Sequence, residues 1–201
     1  MLTKKEAILK AAIEVFGKKG YERATTDEIA EKARVAKGLI FHYFRNKEGL
    51  YYQAYCKVVE KLQREFENFM RKNKNRDIFD FMERWLEKKL EYSINHPEET
   101  SFLVTLVGVK EDLRRRILTD LEKTQGKFFN FVREKLKELK LAEGVNEETA
   151  LKFLMWFFKG FEEMYIRTYQ GRPDQLKKDA QNLVEEVKVM LKIVKRGMLK
   201  E

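Results

Sequence analysis

Between residues 25 and 47 the chain gathers side chains suited to meeting a polyanion and reading its edges. Lys37, Gly38, His42 and Tyr43 fall on one side of a short helical stretch, while Ile40 and Phe44, four apart, fall on the other. An ammonium, an imidazole and a phenol, beside a residue with no side chain, can exchange hydrogen bonds with base edges in a major groove about 12 Å wide. Thr26, with the amides of its helix start, and Lys47, at the start of the next helix, are placed to hold phosphates. Charge agrees with this chemistry. Residues 1–50 hold eleven Lys/Arg against seven Asp/Glu, a net of +4, and residues 32–47 carry Lys32, Arg34, Lys37, Arg45 and Lys47 with no acid among them. Charge alone would also fit a solvated lysine-rich face; the coincidence of caps, small residues and an aromatic polar face favours DNA.

Other chemistries find little support. Two histidines and one cysteine are too few for an ordinary His/Cys zinc site. There is no GxxxxGK[ST], GxGxxG or HExxH pattern and no recognisable Ser-His-Asp arrangement, so no catalytic residue, metal or cofactor is expected. Cys56 lies in a helix with neither histidine near in sequence and reads as a structural thiol. His96, beside Pro97, reads as a loop residue.

The elements that must position these groups are helices. The 201 residues are 37% charged, against a usual share of about 25%, yet 15 Phe, 8 Tyr and 2 Trp supply ample core, so the charge does not signal disorder. No apolar run approaches the ~20 residues of a membrane span, and no secretory signal is visible. A single cysteine fits a reducing cytoplasm. Thr3-x-x-Glu6 is a capping box for a helix over 4–19, which Gly20 should close. Thr25-Thr26 caps a helix over 27–33, and a break of three residues leads to another over 37–43. Small Ala30 and Ala33 let these two helices cross closely. Asn46 caps a long helix to about residue 70. Further helices are expected over 77–95, 97–107, 111–139, 146–169 and 174–196, which makes about nine and an all-α fold.

The residues Thr25-Thr26-x-x-Ile29-Ala30-x-x-Ala33-x-Val35-x-x-Gly38-x-Ile40-Phe41-x-Tyr43-Phe44-x-Asn46-Lys47-Glu48-x-Leu50 resemble the DNA-binding signature of the tetracycline-repressor-like (TetR) regulators. Ala12-x-x-x-Phe16-x-x-x-Gly20-Tyr21 matches the first helix of that family. The motif similarity covers about residues 5–50. It implies a three-helix DNA-binding head, residues 1–46, and an effector-binding and dimerisation body, residues 47–201, linked by the helix over 47–70. It also implies a homodimer that represses from a palindromic double-stranded DNA operator until a small molecule releases it. By the same resemblance Thr26 and Lys47 hold phosphates, Lys37 touches a base or phosphate, Gly38 permits close approach, and Leu39, His42 and Tyr43 lie at or near base edges. Three positions depart from the family. Arg34 stands where the turn glycine is usual, and a left-handed backbone there would cost about 1 kcal/mol; its guanidinium could compensate by touching a phosphate. Phe41 replaces a tyrosine and loses one hydroxyl–phosphate hydrogen bond. Ala36 replaces a serine or threonine and cannot cap the recognition helix.

The rest of the chain is rich in aromatic and methionine side chains. A pocket for a mostly apolar or aromatic effector is expected among Phe66, Phe69, Met82, Trp85, Tyr92, Phe102, Leu106, Ile117, Leu121, Phe128, Met155, Phe158 and Glu162. The last two helices carry more apolar surface than one buried face needs, for instance Leu183, Val184, Val187, Leu191 and Val194 beside Phe153, Trp156 and Phe157. Helices eight and nine are therefore expected to pair with their twofold mates. The rival reading is a helical small-molecule or lipid carrier without operator activity, which would have no use for residues 25–47.

Overall fold

The computed structural model describes residues 2–169 and 172–200, apart from the side chains of residues 122–125, 127, 162, 166 and 173. Among the described residues nine α-helices follow in order: α1 Lys4–Arg23, α2 Thr26–Ala33, α3 Lys37–Phe44, α4 Lys47–Asn73, α5 Ile78–Asn95, α6 Pro97–Val104, α7 Glu111–Lys137, α8 Glu147–Tyr169 and α9 Pro173–Met198. A 3-10 turn, Thr105–Gly108, joins α6 to α7. No strand occurs among the described residues; an isolated antiparallel bridge joins Leu141 to Leu199.

The caps legible in the sequence form as side-chain hydrogen bonds. Thr3 and Glu6 close a capping box on α1, and Thr25 and Glu28 close another on α2. The Asn46 carboxamide accepts from the Gly49 amide at 2.8 Å, and Asn146 does the same for Thr149 at 2.8 Å. Gly20 closes the regular helical run over 4–19. With φ 77° and ψ 171° it breaks the helical path, and the chain resumes a last turn to Arg23.

Two compact units result. The first comprises Met1–Phe66 and His96–Leu121, the second Glu67–Asn95 and Glu122–Glu201. The first unit thus differs from a head ending at residue 46. Three short helices bury too little surface to stand alone, and α6 with the start of α7 completes their core. Phe102 is fully buried between Phe16, Tyr51 and Tyr55, with ring centroids at 6.1, 5.0 and 5.8 Å. Tyr51 donates to the Thr105 hydroxyl at 2.8 Å, which itself donates to the Phe102 carbonyl at 2.6 Å. Burial pushes the Tyr51 phenol up to about 12. At Gly17 the backbone of α6 comes so near α1 that a Cβ would lie 3.0 Å from the Glu98 carbonyl oxygen.

In the second unit α5 and α8 pack on α9. Leu183, Val187, Leu191 and Val194 turn inward and are buried. They are the interior face of α9, a correction to their reading as surplus apolar surface. The surplus lies elsewhere, on Val189, Met190 and Ile193 of α9 and on Phe153, Trp156 and Met164 of α8. Trp156 is 72% exposed and Ile193 66%. No helix among the described residues is long and apolar enough to cross a membrane.

Candidate nucleic-acid interface

The interface begins at the end of α2. The Val35 amide donates to the Ala30 carbonyl and the Arg34 amide to that of Glu31, both at 3.0 Å. These bonds make a Schellman turn, whose pivot must be left-handed. Arg34 is that pivot, at φ 56° and ψ 48°, so the turn keeps its shape and arginine carries the strain. Its side chain is exposed. Ala36 offers α3 no side-chain cap, and the turn is closed by backbone alone, Leu39 amide to Ala36 carbonyl at 2.9 Å.

α3 is short and two-sided. Ile40 and Phe44 are buried, at 0% and 2% exposure, and anchor the helix against α1, α2 and α4 residues of one continuous core. The opposite side presents Lys37, Gly38, Phe41, His42 and Tyr43, all exposed. The His42 and Tyr43 rings meet edge to face at 5.1 Å, which orients both. A Cβ on Gly38 would touch nothing within 4 Å, so the fold itself does not require glycine there. Leu39 departs from this group: it is half-buried and packs on the core. Lys37 reaches back to both carboxylate oxygens of Asp27, at 2.7 and 3.0 Å.

Thr26 lies half-buried in the first turn of α2. Lys47 opens α4 with its ammonium 4.7 Å from the centre of the Tyr21 ring and donating to the Glu22 carbonyl at 3.1 Å. The end of α1 therefore holds this cation beside α3. Gly49 in the same turn tolerates no side chain, because a Cβ would fall 2.2 Å from the Phe44 carbonyl oxygen. That close approach carries no periodic signal in sequence; a glycine beside a capping asparagine was the only hint.

The residues expected to line an effector pocket divide between the two units. Phe66, Phe102, Leu106, Ile117 and Leu121 belong to the first. Phe102, Leu106 and Ile117 are buried in the core that carries the recognition helix, and Leu121 packs against it. Phe69, Met82, Trp85, Tyr92, Phe128, Met155 and Phe158 belong to the second. There Phe69 meets Phe81 and Trp85 at 5.1 and 5.2 Å, and Phe81 meets Phe131 at 4.6 Å. The Glu162 side chain lies outside the described residues. Tyr165, on the same stripe of α8, has a buried hydroxyl that faces Ser93 without a well-formed hydrogen bond among the described residues. Burial raises this phenol's pKa. Among the described residues no three His, Cys, Asp or Glu side chains are grouped so as to hold a metal ion.

Comparison with known proteins agrees with this geometry. Residues 8–54 match the family described as bacterial regulatory proteins, tetR family, and residues 76–199 match the tetracyclin repressor-like C-terminal domain. The chain is 25% identical over 195 residues to IcaR of Staphylococcus aureus (strain Newman), the HTH-type negative transcriptional regulator of the biofilm operon icaADBC; the match covers 90% of this chain and 96% of that protein. It is 56% identical over 43 residues to the HTH-type transcriptional regulator YvkB of Bacillus subtilis, over 21% of this chain and 23% of that one. In fold it is similar to NalD, the secondary repressor of the MexAB-OprM multidrug efflux pump in Pseudomonas aeruginosa, with a TM-score of 0.67 at 17% identity over 98% of this chain and 96% of that one. The fatty acid degradation regulator FadR of Bacillus halodurans follows the same fold, with a TM-score of 0.61 at 19% identity over 94% and 95% of the two chains. With both halves matched and a two-sided α3 displaying its polar side, the chain belongs to the tetR family of bacterial regulatory proteins: ligand-responsive, DNA-binding repressors, not enzymes.

Proposed function

We propose that the protein acts in the cytoplasm as a homodimer that grips a palindromic operator and releases it when a mostly apolar molecule enters the second unit. The observation that carries the DNA contact is the display of Lys37, His42 and Tyr43 opposite the buried Ile40 and Phe44. His42 and Tyr43 read base edges, with Gly38 allowing the helix to come close. Lys37 exchanges Asp27 for a base or phosphate, while Lys47, Thr26 and Arg34 hold phosphates. In functional terms residues 1–46 form the DNA-binding part and residues 47–201 the part that senses ligand and dimerises, even though α6 and the start of α7 lend the first part its core.

The effector meets Phe69, Met82, Trp85, Tyr92, Phe128, Met155 and Phe158, a set of aromatic and flexible side chains suited to an apolar or aromatic guest. Dimerisation is assigned to α8 and α9, supported by the exposed Phe153, Trp156, Val189 and Ile193. α4 carries Lys47 in its first turn and Phe69 near its end, so a ligand that tilts this helix spoils the 34–36 Å spacing of two recognition helices. Selection from random duplexes should return a palindrome bound with a steep salt dependence, and a library of apolar acids and aromatics should contain compounds that weaken the complex. Salt-independent binding without sequence preference would refute the operator; a ligand that binds tightly and leaves operator affinity unchanged would refute the release mechanism.

A further inference from the structure

Beside the recognition helix lies a cavity of about 250 Å³ whose lining includes Tyr43, Arg45, Tyr52, Gln53 and Arg116. It is enclosed by the end of α3, the first turns of α4 and the first part of α7, all within the first unit. We propose that this cavity seats a backbone phosphate of the bound DNA between the guanidinium groups of Arg45 and Arg116, so that α7 joins the operator contact. The proposal rests on the DNA-binding reading and adds to it a contact from outside α1–α4.

Charge is the first reason. The lining contains two guanidinium groups and no carboxylate, and among the described residues neither arginine forms an ion pair. Asp120 accepts a hydrogen bond from the Tyr52 hydroxyl at 2.7 Å and so sits at the rim of that ring. Arg116 lies over the face of the same ring, its guanidinium carbon 4.0 Å from the centroid. Stacking occupies the flat face of a guanidinium and leaves its N–H edge free to fork onto an oxyanion.

Backbone geometry is the second reason. Arg45 has φ 67° and ψ −47°, and the Asn46 amide donates across it to the Phe44 carbonyl at 2.8 Å. This is a γ-turn of the strained hand, in which an ordinary side chain is rare. Such strain persists where the surroundings enforce it and a site uses it. Gly49, pressed against the Phe44 carbonyl, is part of that enforcement.

Size and position decide the guest. The volume falls below the ~300 Å³ at which pockets for drug-sized ligands begin, yet it holds an oxyanion with ordered water. Tyr43 belongs both to this lining and to the exposed side of α3. A phosphate next along the duplex from the Tyr43 contact is therefore the anion within reach.

The test is the salt dependence of full-length protein binding to a duplex carrying its selected site. Each phosphate neutralised contributes about 0.9 to the slope of log K against log salt. The double variant Arg45→Gln/Arg116→Gln should reduce the slope by about that amount per bound chain, each single glutamine variant should remove part of it, and Arg116→Lys, which keeps the charge, should leave it near the wild-type value. Thermal unfolding monitors the fold, and Arg45→Gln, at an exposed position, keeps the test open should Arg116→Gln lose stability. Unaltered slopes in both glutamine variants would overturn the proposal while leaving operator binding by the wild type intact. Calorimetry with inorganic phosphate separates the sources: phosphate bound by the wild type and lost in Arg116→Gln, with unchanged DNA slopes, would assign the cavity to a free anion and overturn the DNA contact. A wild type that fails to bind duplex would instead remove the reading on which the proposal stands.

Discussion

Lys37 and Lys47 are both cations beside the same helix, yet their surroundings prepare them for different work. The Lys37–Asp27 pair is open to solvent on both sides, and such pairs contribute about 0–1 kcal/mol, so DNA can displace the carboxylate at little cost. Lys47 is held against Tyr21 and the Glu22 carbonyl, which fixes the position of its charge and suits it to a phosphate. Lys47→Ala should accordingly weaken binding to all duplexes alike and flatten the salt slope. His42→Ala should change preference at one operator position, with roughly 1–3 kcal/mol of discrimination lost there, measured by competition among single-base variants of the site. Equal, sequence-blind losses from both would refute base reading by His42. At this scale much was legible: burying Ile40 and Phe44 leaves Lys37, His42 and Tyr43 no other side to occupy. Leu39 was not, because a residue at the border of a two-sided helix follows whichever neighbour approaches, and here that neighbour is the core.

Among the elements, the turn between α2 and α3 shows a local rule broken and its shape retained. Arg34 adopts the left-handed conformation that glycine would take freely, because the two Schellman hydrogen bonds and the burial of Ile29, Ala30 and Ile40 over-determine the turn. Arg34→Gly should therefore stabilise the protein by about 1 kcal/mol in urea unfolding, with helix content unchanged. A loss of stability would mean that the arginine side chain contributes more than the backbone strain costs. Gly20 shows the converse. A glycine in a helical pattern reads as a stop, and the helical path does break at Gly20; the short turn beyond it brings Tyr21 under Lys47. The stop was legible locally, whereas the place of Tyr21 beyond it depends on what that turn packs against, and no local pattern carries that.

For the whole molecule, the exposed apolar residues of α8 and α9 are the surface most in need of a partner. Trp156, with Phe153 and Met164 along α8 and Val189 and Ile193 along α9, leaves large apolar side chains exposed, the kind of surface a partner covers. Trp156→Asp should convert a dimer into monomers in sedimentation experiments at micromolar concentration, and operator affinity should fall at least tenfold because one recognition helix then works without its twin. A variant that remains dimeric would move the interface away from Trp156.

Composition, capping boxes and 3.6-residue periodicity by themselves determined an all-α chain, most of its helix limits, and the polar side of α3, since each depends on residues within a few positions of one another. Tertiary structure alone decided that Phe102 completes the core of the DNA-binding unit, that Leu183 and Leu191 face inward while Val189 and Ile193 face out, and that Arg116 and Arg45 line one cavity. Those pairings join residues far apart in the chain. Which of two apolar stripes is covered, or which distant cation approaches a turn, depends on the packing of whole helices, and packing has no signature in local spacing.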